Sequence, residues 1–292
     1  MTKKVALVLS GGGAKGAFQA GAEAYAREEK GYDWSIIAGV SVGALNGGML
    51  AMEKYARLKE LWDTMSNDRV YTGRFNLWAV LRMVFGARSA LGNKPLEKLI
   101  MGEFDPQLIK KDLRVGAVSL TSGEYKIFKP DHPGFAKAVL ASTTMPIIWP
   151  PVQMSPPYSE MVDGGVRNVS PLGDVLDDDP DEVIIINCSP DEPNALNKPL
   201  KGALDIAMRT IDVMVNEIFV GDMREFVRIN HNVKEAEKAN VTLHNEKGKE
   251  YKYFEHHIIA PEQHLGDSLD FSQETVQRSI RAGRERAKAV LG

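Results

Sequence analysis

Two strand-to-helix units follow one another within the first 57 residues, each joined through a glycine-rich turn, and that succession leaves few folds open. Residues 5–9 (VALVL) are a continuous apolar run, the pattern of a strand buried on both faces of a parallel sheet. Gly11, Gly12 and Gly13 end it and lead into a helix predicted over 14–30, where Ala17, Phe18, Ala20, Gly21, Ala24 and Tyr25 recur at helical spacing and Gly31 is the stop. A second apolar run at 34–40 passes through another glycine-flanked turn into a helix predicted over 44–57. Strands alternating with helices in this way begin an α/β domain.

The rest of the chain continues the theme. Residues 113–120 and 124–129 read as two strands joined by Thr-Ser-Gly, a hairpin signal. A short helix over 135–141 is followed by a proline-rich loop at 145–158, and 182–188 (EVIIINC) is another fully buried strand. A long helix is predicted over 204–226, with Leu204, Met208, Ile211, Val215 and Ile218 as a core-packing seam. The C-terminal region, 200–292, is otherwise a short strand at 256–260 and a closing arginine-rich helix over 274–291.

Composition narrows the function. The 292 residues allow one large domain or two small ones, with 43% hydrophobic and 26% charged residues as in ordinary globular proteins. A net charge of -3 argues against nucleic-acid binding, which normally leaves a basic surplus. The single cysteine, Cys188, excludes an internal disulfide and a cysteine-built metal centre, and fits a reducing, cytoplasmic compartment. The opening MTKKVALVL has lysines before an apolar run, but the run is too short for a signal peptide. The charge-free stretch 34–52 approaches spanning length, yet Gly39, Gly43, Gly47 and Gly48 make it a poor bilayer helix.

Three local patterns carry chemistry. Gly39-Val40-Ser41-Val42-Gly43 satisfies G-x-S-x-G between a strand and a helix, where a tight turn lifts the serine oxygen out of the backbone; the plainer alternative is a serine that caps the helix. Gly11-Gly12-Gly13-Ala14-Lys15-Gly16 offers unhindered amides at a helix start, suited to a developing oxyanion. It also matches the dinucleotide fingerprint G-x-G-x-x-G, but Asp33 precedes the second strand instead of ending it, so the ribose-binding acid is missing. Asp163-Gly164-Gly165 reads either as a common Asp-Gly turn or as a carboxylate beside which another backbone passes closely.

Taken together, these motifs resemble the patatin-like phospholipases, lipid acyl hydrolases with a Ser-Asp dyad. The resemblance extends to Ala141-Ser142-Thr143-Thr144-Met145-Pro146, similar to the family's A-S-x-A-x-P segment with Thr144 in place of alanine, and covers about 190 residues in order. It implies a single three-layer α/β/α domain with a central, mostly parallel sheet. It implies Ser41 as nucleophile, Asp163 as base, the amides of Gly11, Gly12 and Gly13 as oxyanion hole, and phospholipid or lysophospholipid as substrate, with no metal or organic cofactor. A carboxylate of ordinary pKa is a poor base at neutrality, so burial must raise it. The competing arrangement is a Ser-Asp-His triad of a general esterase or thioesterase, for which His231, His244, His256, His257 and His264 follow Asp163 in suitable order. A non-catalytic lipid-binding module is a further alternative.

Two segments complete the reading. Residues 69–96 contain no acid but five basic residues and many large apolar ones, including Trp78 and Phe85, and form a candidate interfacial cap for peripheral membrane contact or else a core helix. Asp174 to Glu182 holds six acids in nine residues without the glycine and terminal glutamate of a calcium loop, and is expected to be solvated.

Overall fold

The computed structural model describes residues 3–73, 85–192, 195, 199–200 and 202–292. The strands are β1 (Val5–Leu9), β2 (Ile36–Val40), β3 (Asp112–Ser119), β4 (Tyr125–Phe128), β5 (Met161–Asp163), β6 (Glu182–Ile186) and β7 (Glu255–Ile259). The helices are α1 (Gly16–Lys30), α2 (Val42–Ala51), α3 (Tyr55–Asp63), α4 (Asn67–Val70), α5 (Lys94–Glu103), α6 (Phe135–Ser142), α7 (Gly173–Leu176), α8 (Ala203–Lys238) and α9 (Gln273–Leu291).

Among the described residues the sheet runs β4-β3-β2-β1-β6-β7, with β5 against β3 off that path. The pairs β1–β2, β1–β6, β2–β3 and β6–β7 are parallel, while β4 and β5 each lie antiparallel to β3. Parallel strands in the middle of the sheet must be covered on both faces, and their side chains divide accordingly. Leu7, Leu9, Ile37, Ile184 and Ile186 join one core with Phe18 and Ala22 of α1, Leu50 of α2 and Val276 of α9. Ala6, Val8, Ile36, Ala38, Val183 and Ile185 face the other way, onto Phe219, Val220, Met223 and Phe226 of α8. The result is the expected three-layer arrangement, with helices on both sides of a mostly parallel sheet.

Local departures from the sequence reading have identifiable causes. The helix expected over 44–57 breaks in two: Glu53 is left-handed at φ 55, Lys54 N–H donates back to Met49 O at 2.9 Å, and Ala51 O is taken by Lys110 N–H at 2.8 Å. The helix expected to stop at 226 runs on to Lys238, because Val233 and Asn230 are buried and Asn230 clamps the backbone of Phe254 through two hydrogen bonds of 2.7 and 2.8 Å. The acidic run is not uniformly solvated either. Asp174 is buried and accepts the Tyr125 hydroxyl at 2.7 Å, and burial pushes its pKa up to about 6. Among the described residues no helix is long and apolar enough to cross a membrane.

Candidate active site

Ser41 stands where β2 gives way to α2, with φ 57 and ψ -127. That left-handed region costs a non-glycine residue on the order of 1–3 kcal/mol, so neighbouring structure must impose it. The flanking glycines make it possible: a Cβ on Gly39 would lie 2.3 Å from Gly43 O, and one on Gly43 would lie 2.2 Å from Leu9 O. The Ser41 side chain makes no capping hydrogen bond to α2, which sets aside the capping-serine alternative. Its own amide is held from the far side, donating to Ser142 Oγ at 2.9 Å.

Asp163 reaches Ser41 through strand register. Val40, the residue before Ser41, pairs with Gly116 of β3, and Asp163 pairs with the next β3 residue, Ala117. The short antiparallel β5 thus continues alongside β3 where β2 ends. Gly164 then passes so close that an added Cβ would sit 2.5 Å from Gly116 O and 3.0 Å from Val40 Cγ1. The Asp163 amide donates to Thr144 O at 2.9 Å, and its Oδ1 accepts Gly165 N–H at 2.8 Å, so the Asp-Gly turn is present as well. The carboxyl is buried, and burial pushes its pKa up to about 6 against the opposing pull of hydrogen bonds from the Ser41 hydroxyl and the Gly165 amide.

The glycine loop divides its duties. Gly11 N–H already donates to Val169 O at 3.0 Å, so its amide is committed to the fold, contrary to the expectation of three free donors. The amides of Gly12 and Gly13 make no hydrogen bond among the described residues. Behind the loop, Cys188 N–H donates to Ser10 Oγ at 2.9 Å, and burial pushes the Cys188 thiol up to about 12, which removes it as a nucleophile.

Ser41 lies on the wall between two cavities. One also contains Gly11, Gly12, Asp163, Lys15, Ser268 and Glu217, with Ile211, Val215 and Phe219 of α8 along one side. The seam read as core packing is therefore also a cavity wall. The other runs from Ser41 and Gly13 past Met49, Leu58, Trp62, Trp149 and Phe104. Asn46 there donates to Gly16 O and Gln19 Oε1 and accepts from Trp62 Nε1, all within 2.9–3.0 Å, and Glu103 accepts from Arg57, while the buried indole N–H of Trp149 makes no hydrogen bond among the described residues.

His264 is the one histidine among the described residues that lines the cavity of Ser41 and Asp163. His256 is tied to Asn230 and His257 to Glu182, at the opposite end of the parallel strands. Asp33 lies before β2 and pairs with Lys111 at 2.6 Å, so no acid ends that strand to bind a ribose. Glu182, Glu255 and His257 come near enough to share a cation, but Lys3 Nζ already lies 2.9 Å from Glu182 and 3.2 Å from Glu255. Of the 69–96 segment, 74–84 lie outside the described residues. Its ends meet in a Thr72–Gly92 bridge, and Ala90 and Leu91 donate to Ile147 and Ile148 O at 2.8 and 2.9 Å, beside the loop that carries Met145 and Pro146 into the Ser41 cavity.

Sequence reasoning assigned no task to Ser142 or Thr144. Their segment was recognisable, but a hydroxyl behind one amide and a carbonyl behind another have no signature at the level of residue spacing.

Comparison with known proteins agrees with this architecture. The family model for patatin-like phospholipases matches residues 7–176, which contain every motif named above. Among solved structures, VipD from Legionella pneumophila is similar over 100% of this chain and 67% of its own, with a TM-score of 0.50 and 16% identity, a likeness of fold. No curated protein matches the chain significantly.

Proposed function

The chain belongs to the patatin-like phospholipase family, whose members are lipid acyl hydrolases, and from that premise we propose that it cleaves fatty acyl esters of phospholipids or lysophospholipids through a Ser41–Asp163 dyad. The observation that carries the reading is the strained Ser41, which lines an apolar cavity on one side and on the other shares a cavity with Asp163, a buried carboxyl that burial pushes up to about 6. Ser41 Oγ attacks the ester carbonyl while Asp163 takes its proton. The amides of Gly12 and Gly13 face the oxyanion, and Gly11 holds the loop in place. Asp163 passes the proton to the departing alcohol, leaving an acyl-enzyme. Water then attacks that ester, giving a proton to Asp163, which returns it to Ser41 as the fatty acid leaves. The apolar cavity takes the acyl chain and the more polar one the remainder of the lipid.

In this reading the Ser41 hydroxyl, which pulls the Asp163 pKa down against the effect of burial, gives its proton to that carboxylate without an intervening imidazole. The position of His264 in the same cavity favours, as a second reading, a Ser-Asp-His esterase or thioesterase. The deciding experiment is labelling with a fluorophosphonate followed by peptide mapping, beside a panel of phospholipid, lysophospholipid and soluble esters. The label is expected on Ser41, with turnover of long-chain esters abolished in Ser41→Ala. A label elsewhere, or an active Ser41→Ala protein, would overturn the proposal.

A further inference from the structure

The first half of α8 is apolar on two sides. Ile211, Val215 and Phe219 turn toward the cavity that holds Ser41, while Ile206, Val213 and Met214 are 52%, 51% and 60% exposed. Large apolar side chains on the side of a helix that faces away from the core are normally covered by protein or lipid, and among the described residues none covers these three. This outer side is also not alone. Val166 and Val213 both line the Ser41 cavity and are exposed, which places them on its rim, and the exposed Ile147 follows directly on Met145 and Pro146 of the same wall. Three separate stretches of chain thus bring large apolar side chains to the border of one opening. Single exposed apolar residues are ordinary, whereas a group around a cavity mouth marks an interaction surface.

We propose that this rim, with the outer side of α8, is the surface on which the protein docks to a lipid bilayer. The inference rests on the acyl-hydrolase reading, because the opening it surrounds leads to Ser41 and an acyl ester would enter from whatever the rim touches. The charges on the page select the kind of bilayer. Asp205, Asp212 and Glu217 lie on the same half-helix as Arg209, so the surface has no cationic surplus to attract anionic headgroups and fits a zwitterionic membrane held by apolar insertion. This places the membrane contact on α8 and the rim, in addition to any contribution from 69–96.

The test uses the full chain and the double variant Ile206→Ser with Met214→Ser, two exposed residues that line neither cavity. Sedimentation with phosphatidylcholine vesicles is expected to show wild type partitioning onto them and the variant weakened by roughly tenfold or more, as loss of two inserting side chains requires. Hydrolysis of a short soluble ester and fluorophosphonate labelling are expected to be equal in the two proteins. Vesicle binding unchanged in the variant, no vesicle binding by wild type, or a wild-type dimer that the variant dissociates without altered vesicle binding would each overturn the docking surface. Absence of ester turnover and label in wild type would overturn the hydrolase reading instead, and the vesicle measurement still reports on the surface by itself.

Discussion

Replacing Asp163 by Asn separates the cost of the buried carboxylate from its use. The side chain keeps an acceptor for Gly165 N–H and its volume, so the turn has no reason to open. What disappears is an ionisable group whose pKa rises from 3.8 unfolded to about 6 in the folded protein, chiefly through burial. A raised carboxyl pKa means that the folded state binds the proton more tightly than the unfolded chain. The associated stability is fully present below about 3.8, declines as pH rises, and is gone above about 6. At ~1.4 kcal/mol per unit, the wild type carries a penalty on the order of 3 kcal/mol at pH 8 that the Asn variant escapes. Thermal melts of the two proteins should therefore diverge with pH: nearly coincident at pH ~4, with the variant higher by roughly 5–10 °C at pH ~8. Ester turnover should move oppositely, falling roughly 10²- to 10⁴-fold at pH ~8 with a smaller difference at pH ~4, because wild-type kcat/KM climbs through pH ~6 as Asp163 ionises. A melting difference independent of pH would refute the argument that ionised burial is the cost, and an active Asn variant would refute the role of Asp163 as base.

Other consequences follow from the same geometry. His264→Ala should retain most soluble-ester turnover if Asp163 serves Ser41 directly, and loss as complete as in Ser41→Ala would establish the triad. Leu58→Trp or Met49→Trp, narrowing the apolar cavity, should shift the preferred acyl chain of a p-nitrophenyl ester series toward shorter members, with turnover of the shortest retained; an unchanged chain-length profile would place the acyl group elsewhere.

How much of this was legible in the sequence depends on how local the cause was. The runs VALVL and EVIII announced strands buried on both faces, and β1 and β6 are adjacent in the middle of the sheet. The turn at Ser41 was legible because its requirement for small neighbours is met by Gly39 and Gly43 within the same pentapeptide. The break at Glu53 was not, because Lys110, far along the chain, competes for Ala51 O. Helix α5 has its buried Leu96 and Ile100 one turn apart, too few contacts to stand out from the arginine-rich segment before it. The approach of Asp163 to Ser41 was legible as a motif in order, but its cause, β5 resuming beside β3 one residue past the end of β2, is a register and has no trace in composition or periodicity.

The same distinction gives the segment 141–146 a task that a mutation can isolate. Thr144, which stands where the related pattern has alanine, donates its hydroxyl to Leu140 O at 2.9 Å, so the extra polar atom is satisfied within its own turn and the substitution is accommodated. Its carbonyl accepts from Asp163 N–H at 2.9 Å, and Ser142 Oγ accepts from Ser41 N–H at 2.9 Å, so one short stretch at the C-terminal end of α6 supports the backbone of both residues of the proposed dyad. Ser142 is fully buried, and Ser142→Ala removes the partner of the Ser41 amide. An unsatisfied buried donor costs about 1–3 kcal/mol, and here it adds to a left-handed serine that only its surroundings hold in place. We expect a stability loss of about that size and a drop in kcat of roughly tenfold or more as Ser41 relaxes away from Asp163, with KM for a soluble ester little changed because no cavity wall is removed. Thr144→Ala, the control, should leave kcat near wild type, since its carbonyl remains. If Ser142→Ala lowers the melting temperature while kcat stays at the wild-type value, the hydroxyl supports the fold without positioning the nucleophile, and the elbow is held by its glycines alone.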